Sequence, residues 1–278
     1  MLERFSRSWA LVKASAGVLR SDKELLLFPV ISGMCALVVV ASFVLPMSLL
    51  GGFSHGFTPA LAAAAFAFYF CQYSVIVFFN CALVAAAMIR LDGGDPTLAD
   101  GLRAARARLP AIFGYAAIAA TVGVLLQSLR NREGNVLVRL FGALLGAAWT
   151  LATFLVVPVL VSRRIGPVDA LKESVRLLKG TWGENAIGNV GIGAAFGLIT
   201  FATVLAGVGL TMLAAQAWLG LAILVGGLFA IAVLLLGVLQ SALGGVYSAV
   251  LYRYATTRQA PDGFRPAALE HAFARRGG

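Results

Sequence analysis

Residues 219–252 read LGLAILVGGLFAIAVLLLGVLQSALGGVYSAVLY, running from Leu219 to Tyr252 without one Asp, Glu, Lys or Arg. A charge-free apolar stretch of this length exceeds the ~20 residues a helix needs to cross ~30 Å of hydrocarbon. Five more apolar stretches precede it, of which the fourth carries one charge, Arg139: Leu25 to Leu50, Ala60 to Ile89, Pro110 to Leu129, Val136 to Val161, and Ala186 to Leu213. None carries an Asp or Glu in its interior. The chain therefore predicts an all-α, polytopic membrane bundle of six transmembrane helices.

Composition supports the same class. Hydrophobic residues make up 60% of the 278 residues and charged residues 12%, with a mean hydropathy of +0.90. A soluble domain hides one core behind a charged shell, and these values exclude that arrangement. The first stretch follows basic residues, as a signal peptide does. It is too long for that role, and Ser48-Leu49-Leu50 supplies no small-x-small cleavage site, so it is expected to stay as the first helix. Cys35, Cys71 and Cys81 all fall inside spans and read as packing residues. His55 and His271 fall on opposite sides of the predicted membrane. No metal site or cofactor is expected.

The 22 Lys and Arg exceed the 12 Asp and Glu, for a net charge of +10. All but Arg130, Arg132 and Arg139 fall before the first span, after the sixth, or in the second-to-third and fourth-to-fifth connections. The positive-inside rule then places both termini in the cytoplasm. It also explains the net charge as a topology signal and an attraction to anionic headgroups, rather than to nucleic acid.

Each odd-numbered span is preceded by a short amphipathic segment. Phe5, Trp9, Val12, Ala16 and Leu19 form the first stripe; Leu98, Leu102, Ala105 and Leu109 the second; Val168, Leu171, Val175, Leu178 and Trp182 the third. The predicted plan is a cytoplasmic helix followed by two spans, used three times in parallel. One membrane domain covers residues 1–253, with units of about 1–89, 96–162 and 166–252, and a basic tail covers 254–278. Capping boxes are expected at Ser21-x-x-Glu24, Thr97-x-x-Asp100 and Thr181-x-x-Glu184, and Gly166-Pro167 opens the third amphipathic helix. Pro46 and Pro158 mark expected kinks.

Candidate sites follow from what remains polar. Arg103, Arg106, Lys179, Trp182, Asn185 and Asn189 lie at the cytoplasmic boundary, where cations, an aromatic anchor and amides suit a lipid headgroup or ligand. Gln72 and Asn80 in the second span, with Gln240 in the sixth, form a candidate intramembrane polar patch, or hydrogen-bonding groups between helices. Gly142-x-x-x-Gly146, Gly193-x-x-x-Gly197 and Gly237-x-x-x-Ser241-x-x-x-Gly245 are small-residue ridges for close helix packing, within the chain or between copies. No HExxH, GxSxG, Walker or paired intramembrane carboxylate pattern occurs, so no catalytic residue is assigned.

Several stretches carry a family resemblance: Asp22-Lys23-Glu24-Leu25-Leu26-Leu27-Phe28-Pro29, Phe78-Phe79-Asn80, Asp95-Pro96-Thr97, Arg108-Leu109-Pro110, Val156-Val157-Pro158-Val159, Gly166-Pro167-Val168-Asp169-Ala170-Leu171-Lys172 and Trp182-Gly183-Glu184. On these, the chain from about Phe5 to Tyr252 resembles a family of uncharacterised bacterial six-span membrane proteins, classed under a domain of unknown function. That resemblance implies six spans and an inner-membrane location. The Ala170-Leu171-Lys172-x-Ser174 to Trp182 pattern is more distantly similar to the membrane portion attached to some glycerophosphodiester phosphodiesterases; the chain has no such soluble domain.

Three readings of function stand at this point. The leading one is a non-enzymatic membrane protein that interacts with anionic lipids or with a partner membrane protein, a second copy included. The second is a transporter or channel for a small or lipid-like substrate, lined by Gln72, Asn80 and Gln240. The third is a headgroup enzyme at the cytoplasmic boundary using Asp22, Glu24, Asp92, Asp169 and Glu184.

Overall fold

A computed structural model describes residues 15–49, 59–130, 136–179 and 185–257. Every regular element among them is helical. Residues 15–21 form α1, and a 3-10 turn over Lys23–Leu26 leads into α2 (Leu27–Leu49). There follow α3 (Pro59–Leu91), α4 (Leu98–Arg106), α5 (Leu109–Arg130), α6 (Val136–Thr153), α7 (Val156–Ser162), α8 (Pro167–Lys179), α9 (Asn185–Ala217) and α10 (Leu219–Thr257). Six helical stretches are long and apolar enough to cross a membrane. In lipid a helix satisfies its own amides and carbonyls, which is why apolar runs of this length take no other form. Two of the predicted spans run on: α3 reaches Leu91 rather than Ile89, and α10 reaches Thr257 rather than Tyr252.

The fourth span is not one helix. It breaks at Phe154–Leu155, where Leu155 has φ −98° and ψ 5°, four residues before Pro158. Proline has no N–H for the carbonyl four residues back, and its ring crowds that carbonyl. Pro158 thus marks the distortion, but the break falls one turn ahead of it. Pro46 does not interrupt α2.

The core lies toward one end of the bundle, the end that carries most of the described charged residues. There α3, α7 and α10 converge through Leu83, Val84, Val156, Val159, Val246 and Val250, all buried. Small residues allow the approach. A Cβ on Gly101 of α4 would sit 2.5 Å from Phe28 Cζ and 2.7 Å from the Ala82 carbonyl oxygen, and Gly245 of α10 lies directly on the Leu83 side chain. Leu83 meets Gly245, and farther along both helices Asp92 meets Arg253. α3 and α10 therefore run in the same direction at a nearly constant stagger. Toward the other end the helices expose their apolar side chains, as at Met34, Leu125, Leu144, Leu213 and Leu224. In a bilayer this exposure costs little, because lipid tails are as apolar as the side chains.

The glycine ridges divide. Gly142 and Gly146 pack on Leu129 and Leu126 of the neighbouring α5, and Gly245 packs on α3, whereas Gly193, Gly197 and Gly237 have nothing within 4 Å of an added Cβ. At the turn between α3 and α4, Gly93 has φ 82°. Only glycine takes that left-handed conformation without strain, and it lets the chain reverse out of α3.

Candidate functional site

The basic end is organised by short helices laid against the converging spans. α4 begins with a full capping box. The Thr97 hydroxyl accepts from the Asp100 amide, and the Asp100 carboxylate accepts from the Thr97 amide. The Thr97 hydroxyl also donates to Asp100 at 2.6 Å. These bonds from Thr97, its hydroxyl first and then its amide, together with nearby Arg103, hold the Asp100 carboxyl below its ordinary range. The expected box at Ser21-x-x-Glu24 does not form. Asp22 caps the 3-10 turn by accepting from the Glu24 amide, and the Ser21 hydroxyl turns back to the Val18 carbonyl. Asp22 wins because its charged carboxylate is the better acceptor for an orphan amide. Glu24 is released to reach across the fold, where it accepts from the Leu98 amide at 3.0 Å and so adds a second cap to α4.

α8 opens at Pro167, as the Gly166-Pro167 pair predicts. Its buried line is Ala170, Ser174 and Leu178, while Val168 is exposed, so the helix is rotated from the predicted stripe. The cause is Ser174, wholly buried and inserted into the break of the fourth span. Its hydroxyl donates to the Ala152 carbonyl at 2.7 Å and accepts from the Leu155 amide at 3.2 Å. Just before it in sequence, Glu173 is gripped from two sides, by Arg163 at 2.9 Å and Arg176 at 2.9 Å. Arg163 also hydrogen-bonds Tyr252, and that bond, followed by Tyr252 and Glu173 charge, raises its already high pKa further.

Three side-chain links close a ring around the ends of the converging helices. Asp92 pairs with Arg253 between α3 and α10, Arg163 bonds Tyr252 between the end of α7 and α10, and the Ser162 hydroxyl donates to the Met88 sulfur at 3.2 Å between α7 and α3. Outside the ring, Arg90 pairs with Asp95 at 3.4 Å and Lys172 with Asp169 at 3.7 Å.

Every described carboxylate thus has a structural partner or a cap. Of the acid–base candidates, Asp22 caps a turn, Glu24 caps α4, Asp92 pairs with Arg253 and Asp169 with Lys172; Glu184 lies outside the described residues. Arg103, a predicted headgroup contact, is held by Asp100 at 3.0 Å although it remains exposed. Arg106 is exposed and makes no ion pair among the described residues. Trp182 and Thr181 lie outside the described residues, as do the side chains of Lys179, Asn185 and Asn189 and the first stripe from Phe5 to Val12.

The predicted intramembrane patch is not one cluster. No hydrogen bond joins Gln72, Asn80 and Gln240, and the Gln72 Oε1 atom is buried with no partner among the described residues. Gly245 points at Leu83, and Gln240 lies five residues earlier, which turns it about 140° away around α10. Sequence reasoning passed over Ser174, Glu173, Arg108 and Arg164. The only signal for Ser174 was Pro158, which announces a break needing a donor and an acceptor from elsewhere.

Six apolar helices locked at one end by caps and ion pairs define a polytopic α-helical membrane protein. A family of unknown function, DUF6159, matches residues 60–263, and the chain belongs to it. The matched residues begin after the first span. No curated protein matches the chain, and the distant likeness to glycerophosphodiester phosphodiesterases finds no support in these comparisons.

Proposed function

We propose that this is a non-enzymatic protein of the bacterial inner membrane, with both termini cytoplasmic, that holds anionic lipid headgroups at its basic end. One observation carries the reading. After every described carboxylate has taken a partner or a cap, Arg20, Lys23, Arg106, Arg108 and Arg164 have no ion pair among the described residues. Cations left over at a membrane boundary attract anionic headgroups by ~1 kcal/mol each near the surface. Arg20 lies in α1, Lys23 in the 3-10 turn and Arg106 at the end of α4, while Arg108 and Arg164 lie in the α4–α5 and α7–α8 links. The threefold plan supports the same reading, since the three second spans, α3, the α6–α7 pair and α10, converge at the end where these cations lie.

The test is lipid retention by the full-length protein in nanodiscs of phosphatidylcholine doped with phosphatidylglycerol, read by native mass spectrometry. Preferential retention of phosphatidylglycerol is expected. Equal retention of the two lipids would remove the reading. The same spectra report a second copy or a bound partner, the alternative to which the open ridge at Gly193, Gly197 and Gly237 is suited.

A second reading, a path for a small or lipid-like substrate, draws on the unpartnered Gln72 oxygen. Against it stands the apolar packing of Leu83, Val156, Val246 and Val250 where α3, α7 and α10 converge at the basic end. Uptake assays in proteoliposomes decide between the two.

A further inference from the structure

We propose that the junction between the α4–α5 link and the α7–α8 link is a specific notch for one phosphate group, that of an anionic phospholipid, formed by Arg108 and Arg164. This rests on the lipid reading and narrows it to one place. Arg108 supplies the first reason. It is half-buried, and its Nη2 donates to the Val161 carbonyl at 3.3 Å, but no carboxylate neutralises it among the described residues. A partly desolvated cation facing only a carbonyl dipole is incomplete without an anion.

The backbone brings a second guanidinium group, that of Arg164, to the same junction. The Arg108–Val161 bond lays the α4–α5 link alongside the end of α7. Six residues farther on, a Cβ on Gly114 of α5 would sit 2.8 Å from Pro167 Cγ, so the start of α5 is seated on the start of α8. These two contacts fix both walls. One wall is Arg108; Arg106, two residues earlier across the αR C-cap Ala107, leaves the helical backbone about 200° away and faces solvent outside the notch. On the other, Arg163 is extended, with φ −113° and ψ 141°. Successive side chains of extended backbone point to opposite sides. Arg163 turns inward to Glu173 and Tyr252, and Arg164 consequently turns outward, where it is exposed and has no ion pair.

The chemistry selects phosphate. Arginine presents a planar fork of donors that pairs two oxygens of a phosphate at once, which lysine does not. Glu173 is already shared by Arg163 and Arg176, and among the described residues no carboxylate pairs with Arg108 or Arg164. Ser162 ends the fourth apolar span immediately before Arg163, which puts the notch at headgroup height.

The experiment uses full-length protein in the phosphatidylcholine nanodiscs, titrated with phosphatidylglycerol. The variant R108Q/R164Q is compared with R103Q/K172Q, which removes the same charge from the same end at exposed cations already paired with Asp100 and Asp169. The notch variant is expected to weaken retention roughly tenfold to a hundredfold, and the control by less than about threefold. Equal losses in the two variants would overturn the notch and leave the broader lipid reading standing. Failure of the wild-type protein to retain phosphatidylglycerol would overturn both. Uptake of inorganic phosphate by wild-type protein in pure phosphatidylcholine discs, lost in the notch variant, would make a free anion the ligand and overturn the lipid assignment. If Arg108 proves necessary for folding, R164Q against K172Q, both at exposed positions, carries the same comparison.

Discussion

The Leu155 amide in the fourth span donates to the hydroxyl of Ser174 in α8 at 3.2 Å, so a helix of the basic end completes the hydrogen bonding of a helix inside the apolar bundle. The same hydroxyl serves the Ala152 carbonyl, and the two bonds bracket the break. A broken helix in an apolar setting is tolerated only where something satisfies the freed backbone. Here one buried side chain does so, and the Phe154 and Tyr247 rings pack beside it with centroids 6.2 Å apart.

Ser174→Ala removes both bonds and leaves a buried donor and a buried acceptor, at about 1–3 kcal/mol for each unsatisfied group. Equilibrium unfolding in mixed micelles is expected to register that loss. Ser128→Ala is the control, since its hydroxyl only turns back to the Leu125 carbonyl in its own helix. Equal effects of the two substitutions would sink the assignment.

Gly101→Ala is expected to destabilise by about 1–3 kcal/mol or more, as overpacking does when the obstacle is backbone rather than a flexible side chain. The obstacle is the Ala82 carbonyl oxygen, 2.7 Å from the added carbon. Gly237→Ala adds a methyl where nothing lies within 4 Å, and its thermal midpoint should match that of the wild-type protein.

The Asp92–Arg253 pair ties α3 to α10, with Asp92 largely exposed. Its coupling energy is expected to be about 0.2–1 kcal/mol, the range for partly exposed pairs. A double-mutant cycle with Asp92→Asn and Arg253→Gln measures it. The charge reversal D92R/R253D should recover part of the stability that either single reversal loses.

Acid should loosen the start of α4. The Asp100 carboxyl is held below its ordinary range in the folded protein, by Thr97 above all. A folded pKa below the unfolded one means the stabilisation is complete above the ordinary Asp value and fades as pH falls through the folded value. The difference in thermal midpoint between wild type and Asp100→Asn should therefore shrink below about pH 4. A difference that stays constant from neutral pH down to acid unfolding would contradict this.

Much of the architecture was legible because it depends on one local quantity. Uncharged apolar runs such as Leu219 to Tyr252 must become helices in lipid whatever surrounds them, and Thr97 and Asp100 cap α4 through bonds confined to four successive residues. What could not be read depends on distant partners. Glu24 looked like half of a local capping box and is instead the second cap of α4. Arg103 looked free for a headgroup and is held by Asp100, whereas Arg108 looked like one more boundary charge and is half-buried with no anion among the described residues. The α8 stripe was read from the spacing of apolar residues alone, and the helix is rotated because a serine is needed inside.

The sequence by itself determined the class of protein, the six spans and the end at which charge collects, since hydropathy and helix length are properties of each segment taken singly. Tertiary structure decided where the core lies, which glycines are filled, and which cations remain unpaired. Those outcomes follow from which side chains meet across the bundle. In a chain whose surface and core are equally apolar, the hydrophobic pattern cannot say in advance which faces will be covered by protein and which by lipid.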